Sequence, residues 1–257
     1  MTEIGKICEE RCIQLYAELN AAWAIAKKDI AIYYLKPNII VSGALFPLFM
    51  FLAFAVGKPA GPSVMIPGLI AITILFAASS IEPVSIPIER RMKTFDRLIS
   101  APVSLHAIVL GESMSGFIYS IGIALVPLIA GLLVFGTQIV NLLPLVAGII
   151  LTSFCFATMG TLFAAYPTES PGDIMSMLNL VRLPLVFISG VFIPIESIPS
   201  IGRVLVYCSP LTYGNDLIKA AYQESTHFNP LIDVTMLIVF IVIFQFCANR
   251  LYKKFNE

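Results

Sequence analysis

The chain has 257 residues, 58% of them hydrophobic and 12% charged, with a mean hydropathy of +0.90. A soluble globular domain carries about 25% charged residues, so one is excluded here; so is disorder, whose signature is low hydrophobicity with high net charge. Sixteen Lys and Arg balance sixteen Asp and Glu, leaving no basic field for nucleic acid, and the reading that remains is an all-α integral membrane protein of several spans.

The first 36 residues are interrupted by Glu3, Glu9, Glu10 and Glu18, which rules out the apolar core of a signal peptide. Ile4, Cys8, Cys12, Leu15, Leu19, Trp23, Ala26, Ile30 and Tyr33 recur at three and four, as on one helix face. The segment is either a cytoplasmic helix packed on a partner or an interfacial amphipathic helix; Trp23, Tyr33 and Tyr34, running into a span, favour the second.

Crossing a bilayer takes about 20 apolar residues, and the uncharged runs supply six such helices. They lie near 39–56, 64–86, 107–135, 142–166, 174–195 and 231–249, making 37–257 one transmembrane domain. The 56 uncharged residues between Glu112 and Glu169 are too long for one helix, and the break falls at Gly136-Thr137-Gln138. Twelve Lys and Arg then lie on one side (Lys6, Arg11, Lys27, Lys28, Lys36, Arg90, Arg91, Lys93, Arg97, Arg250, Lys253, Lys254), against Lys58, Arg203 and Lys219 on the other. Positive charge stays inside, so both termini are expected in the cytoplasm.

Between spans two and three, Pro87 and Pro102 bracket a short amphipathic helix in which Met92, Phe95, Leu98 and Ile99 repeat at three and four. Its cations suit an ordinary loop lying on anionic headgroups; an apolar stripe on so short a cytoplasmic loop favours docking to a partner. Arg182 lies inside span five, where an arginine costs about 2.5–3.5 kcal/mol on insertion scales. It is either a structural ion pair with Glu112 or Glu82, or a group on a translocation path beside Asn179. The forty residues 192–231 exceed a simple hairpin and carry apolar pieces broken by prolines. Non-helical backbone at membrane depth requires a protein-lined setting, which fits a gate.

Catalytic signatures are missing. His106 and His227 fall in loops, no phosphate-binding loop G-x-x-x-x-G-K-[ST] occurs, and no HExxH or GxSxG motif is present. Five dispersed cysteines (Cys8, Cys12, Cys155, Cys208, Cys247) make neither a disulfide framework nor a metal pair. No metal site is expected, no enzyme activity, and no nucleic-acid partner.

Three stretches carry a resemblance. Residues 89–102, with Glu89, Arg90, Thr94, Leu98 and Pro102, resemble the E-R-x-x-G-T-x-x-x-L-x-x-x-P element of permease subunits in ABC transporters of the type-2 exporter class, such as daunorubicin-resistance and nodulation-factor export permeases. Lys93 stands where that family has Gly. Ser189, Gly190, Pro194 and Pro199 resemble its S-G-x-x-x-P-x-x-x-x-P, and Pro210, Thr212 and Tyr213 its P-x-T-Y.

The resemblance implies an export permease in the cell (plasma or inner) membrane, of the kind linked to multidrug resistance. It would pair as a homodimer among membrane lipids and bind separate ATP-binding subunits that hold ATP and Mg, so that this chain carries no cofactor of its own. Glu89, Arg90, Arg91, Thr94, Phe95, Arg97, Leu98 and Pro102 would form the coupling helix. Short re-entrant helices between spans five and six would form the outer gate, with Ser189, Gly190, Pro194, Glu196, Pro199, Pro210, Thr212 and Tyr213. The cargo would be a lipid, a glycan or an amphipathic drug. A secondary transporter is the rival, but no repeat relates 37–135 to 142–249; a non-transporting membrane scaffold is the other.

Overall fold

The structure is a computed structural model, described for residues 3–34, 45, 48–49, 62–192, 195, 200–222 and 226–256. Every regular element among these is helical. Helix α1 (Glu3–Asp29) continues into a π-helical turn, Ile30–Tyr34; then follow α2 (Pro62–Ala78), α3 (Glu82–Arg91), α4 (Thr94–Ile99) and α5 (Leu105–Leu133). After them come α6 (Leu142–Ala164), α7 (Pro171–Ile188), α8 (Ser200–Tyr207), α9 (Pro210–Ala221) and α10 (Pro230–Asn256).

Among the described residues, five units are long and apolar enough to cross a membrane: Met65–Arg91, Leu105–Leu133, Leu142–Ala164, Pro171–Ile188 and Pro230–Phe255. They coincide with five of the six expected spans. The span expected at 39–56 lies outside the described residues apart from single positions. The chain is a multi-pass membrane protein whose regular elements, among the described residues, are all helices.

The second span is broken where the apolar run promised one continuous helix. Pro83 has no N–H for the carbonyl of Ser79 and its ring crowds that carbonyl. Ser79 and Ser80 turn their hydroxyls back onto the carbonyls of Leu75 and Phe76, the second at 2.5 Å. The helix therefore stops at Ala78 and restarts at Glu82, with Pro83 in its first turn, where a missing N–H costs nothing.

Helix α2 is the centre of the core. Ile70, Ile72, Ile74 and Leu75 are fully buried among Leu145, Phe156 and Met159 of α6 and Leu178 and Val186 of α7. Helix α6 packs on α5, α9, α10 and α2. Serine and threonine knit these surfaces: Ser113 on α5 meets Thr161 on α6 at 2.9 Å, an interhelical hydrogen bond of the kind that replaces the hydrophobic drive missing in lipid.

Helix α1 lies along α5. Ala22, Ile25, Ala26 and Asp29 are buried there, while Leu15, Leu19 and Trp23 remain open. Gly111 permits the approach, since a Cβ at that position would stand 2.7 Å from the Ala22 carbonyl oxygen.

Two ends of the bundle can be told apart. One, the loop end, holds residues 89–102, the end of α6 and the C-terminal turns of α10. There Ile86, Phe95, Val109, Ala164, Ala165, Ala248 and Tyr252 form a second core. At the other end the amides of Val140 and Asn141 donate to the Ala221 carbonyl at 2.9 and 3.1 Å, and Tyr213, Phe228 and Phe240 stack.

Candidate functional site

Helix α4 has only six residues and would not persist in isolation. Tertiary contacts hold it. Phe95 is 1% exposed and rests on Tyr252, ring centroids 6.0 Å apart, with Leu98 and Ile99 against the same cluster. The Arg90 guanidinium stacks 5.2 Å from the centre of the Phe95 ring. It donates to the carbonyl of Tyr166 at 3.0 Å and that of Ala165 at 3.3 Å, satisfying carbonyls orphaned at the end of α6. Thr94 Oγ1 donates to the Glu89 carbonyl at 3.2 Å, closing the turn between α3 and α4.

Phe95, Leu98 and Ile99 of the apolar stripe that favoured docking thus face the chain's own core, whereas Met92 is exposed. What points outward is Arg91, Met92, Lys93, Thr94, Asp96, Arg97 and Pro102. Of the eight residues expected to form the coupling helix, Arg91, Thr94, Arg97 and Pro102 are on the open face. Phe95 is inside, Leu98 is half-buried, Arg90 clamps α6, and Glu89 is buried against α1.

The four groups expected around the intramembrane arginine separate into two centres. Arg182 is 1% exposed. Its Nε donates to Ser79 Oγ at 2.9 Å and its guanidinium lies over Phe76 at 5.4 Å. Its electrostatic counterpart is Glu82. Glu82 Oε1 accepts from the Gly116 amide at 3.2 Å, and the carboxylate fits where Gly116 and Gly160 leave room; a Cβ on Gly160 would stand 2.7 Å from Glu82 Oε2. Asn179, one turn away on α7, is half-buried. Glu112 belongs to the other centre, with Lys28 and Asp29 of α1.

Lys28 Nζ lies 2.6 Å from Glu89 Oε1 and 3.1 Å from Asp29 Oδ1. Burial lowers the affinity of Lys28 for its proton, but Glu112, Asp29 and Glu89 outweigh it, and the ammonium is held above its ordinary value. Their grouping escaped sequence reasoning because Lys28 and Glu89 are 61 positions apart: Glu89 and Glu112 were assigned to other roles, and Lys28 and Asp29 were given none.

At the far end the residues are held by backbone ties. Ser189 Oγ donates to the Val186 carbonyl at 2.9 Å, and Gly190 has φ +77°, a left-handed conformation that favours glycine. Lys219 Nζ reaches the Gly190 carbonyl at 3.4 Å, linking α9 to the end of α7. Thr212 Oγ1 donates to the Val206 carbonyl at 2.9 Å and Tyr213 OH to that of Tyr207 at 2.7 Å, pinning the start of α9 to α8. Pro210 opens α9. Asp216 accepts from the amides of His227 and Phe228 at 2.8–2.9 Å, fixing the path into α10. Pro194, Glu196 and Pro199 lie outside the described residues. Neither Lys219, counted only as a charge, nor Asp216, three residues past Tyr213 of the P-x-T-Y element, showed a role in the sequence.

A family model described as ABC-2 type transporter matches residues 20–222. Nodulation protein J of Rhizobium leguminosarum bv. trifolii is 26% identical over 223 residues, covering 82% of this chain and 81% of that protein.

Proposed function

The chain belongs to the ABC-2 type transporter family, as a membrane permease component of an ABC exporter, and from that premise we propose how it works. A separate ATP-binding subunit holds ATP and Mg and docks on the outward face of residues 91–102. Two permease copies pair in the cell membrane, and closure of the ATPase pair rocks α3 and α5 so that cargo moves outward. The cargo class is a lipid, glycan or amphipathic drug, in keeping with the exposed apolar faces of α5, α7 and α10. The ties of Ser189, Gly190, Thr212 and Tyr213 build the gate at the far end.

Both termini lie in the cytoplasm, and a sixth crossing joins α1 to α2. Its flanks support this: Lys28 sits beside Glu89 at the loop end, whereas Ile66 abuts Gly131 at the other.

The observation that carries the reading is mechanical. Helix α4 shows polar residues outward, while Phe95 and Arg90 fasten it to α10 and α6, so a push on Arg91 or Arg97 reaches the bundle rather than a loose loop. The test is co-purification with the ATP-binding subunit and its ATPase rate. Arg91→Glu with Arg97→Glu is expected to fold normally and lose most of the partner. Phe95→Asp is expected to lower the yield of folded permease instead, because it buries an unpaired carboxylate. Full partner binding by the double charge reversal would overturn docking through this face.

A further inference from the structure

Helices α1, α3 and α5 converge at the loop end on four charged groups. Lys28 touches Glu89 and Asp29 as described. Asp29, Glu112 and Glu89 are 0%, 1% and 4% exposed. Among the described residues, neither carboxylate oxygen of Glu112 receives a hydrogen bond, nor does Glu89 Oε2, and Asp29 has the Lys28 ammonium beside it through Oδ1. The remaining titratable neighbours do not balance them. Glu82, higher on α3, adds negative charge and answers Arg182; Tyr252 of α10 is neutral; Arg90 is committed to the carbonyls that end α6.

Three buried carboxylates therefore share one ammonium. Water cannot solvate the surplus, and a low-dielectric site resolves such an imbalance by taking up protons rather than holding bare charge. Among the described residues no set of three His, Cys, Asp or Glu side chains is arranged to hold a metal ion. Glu112 enters the cluster from α5, beside the Gly111 contact that seats α1, so any charge on this carboxylate acts directly at the α1–α5 junction.

We propose that this cluster is a proton-binding site, with the proton shared between Asp29 and Glu112, and that its occupancy governs how firmly α1 sits on the α3–α5 core. Burial pushes the Asp29 carboxyl from an ordinary 3.8 up to about 6, against the pull of Lys28. A carboxyl whose affinity for protons is higher when α1 is seated stabilises the seat fully below about pH 4, and that stabilisation is lost as pH rises through about 6. Proton loss leaves Asp29, Glu89 and Glu112 repelling one another across the joint that also anchors the start of the docking loop.

Trp23 is the chain's one tryptophan and lies half-exposed on α1, so its emission reports the seat directly. The experiment follows Trp23 emission and hydrogen exchange of residues 15–29 from pH 4.5 to 8 in the full chain in lipid nanodiscs. Wild type is expected to show a step near pH 6, with α1 exchanging faster above it. Asp29→Asn with Glu112→Gln is expected to abolish the step and keep α1 seated throughout. Lys28→Met by itself is expected to move the midpoint up, since the ammonium 3.1 Å from Asp29 Oδ1 is what pulls this carboxyl down against its burial. A flat wild-type profile, or a midpoint unmoved by either variant, overturns the proposal. The measurement needs neither nucleotide nor partner, so its outcome is independent of the docking reading.

Discussion

Lys93 sits at φ +58°, joining α3 to α4 in the left-handed region. That conformation explains the glycine that the type-2 permease element carries there: a Cβ makes it costly by roughly 1–2 kcal/mol. The ion pair of Lys93 with Glu169, at 3.9 Å, joins two exposed side chains and contributes little. Lys93→Gly is therefore expected to stabilise the protein by about 1 kcal/mol, after the extra entropy of an unfolded glycine is set against the relieved strain. A thermal-unfolding midpoint that fails to rise would argue that the turn gains something from the lysine. Arg182 poses the opposite case. Arg182→Met removes the charge that answers Glu82 and leaves the donor-starved centre beside Ser79, costing about 3–5 kcal/mol by analogy with broken buried pairs. Adding Glu82→Gln should restore much of the folded yield. Rescue by Glu112→Gln instead would contradict the separation of the two centres.

At the scale of elements, helices here meet through small residues, and the consequence is testable at two glycines of one helix. Gly111 has the backbone of α1 against it, with a Cβ also 2.9 Å from Ile25 Cβ, whereas Gly122 has nothing within 4 Å. Gly111→Ala is expected to cost about 1–3 kcal/mol through overpacking and to raise hydrogen exchange in α1. Gly122→Ala is expected to be neutral or to stabilise by up to about 1 kcal/mol, through helix propensity. Equal effects at the two sites would mean that α1 does not lie where the structure has it. The break between α2 and α3 follows the same local logic. Pro83 and the two serines were visible in the sequence, but the uninterrupted apolar run concealed that they act together. Helix α4 illustrates a different limit. Its periodic stripe was legible, yet periodicity identifies a face and is silent on what covers it; Phe95 found Tyr252 rather than a partner protein.

The whole molecule is a helical bundle whose loop end combines docking residues, a buried charge cluster and the seat of α1. If six crossings join cytoplasmic termini, reporters fused to the two ends should respond from the same side of the membrane. Opposite sides would remove the crossing expected at 39–56 and with it the proposed topology. The sequence by itself determined the membrane class, the five membrane-length helices within the described residues, the position of the 134–141 connection and the family resemblance. Those features rest on length, hydropathy and local order along the chain, which the bilayer and the backbone read without tertiary context. Only the tertiary structure decided which way α4 faces, that Arg182 answers Glu82 while Glu112 joins Lys28 and Asp29, and that Lys219 holds the Gly190 turn. Such pairings join residues tens of positions apart, and electrostatics acts through distance and burial in the folded chain, neither of which is written in the spacing of the residues.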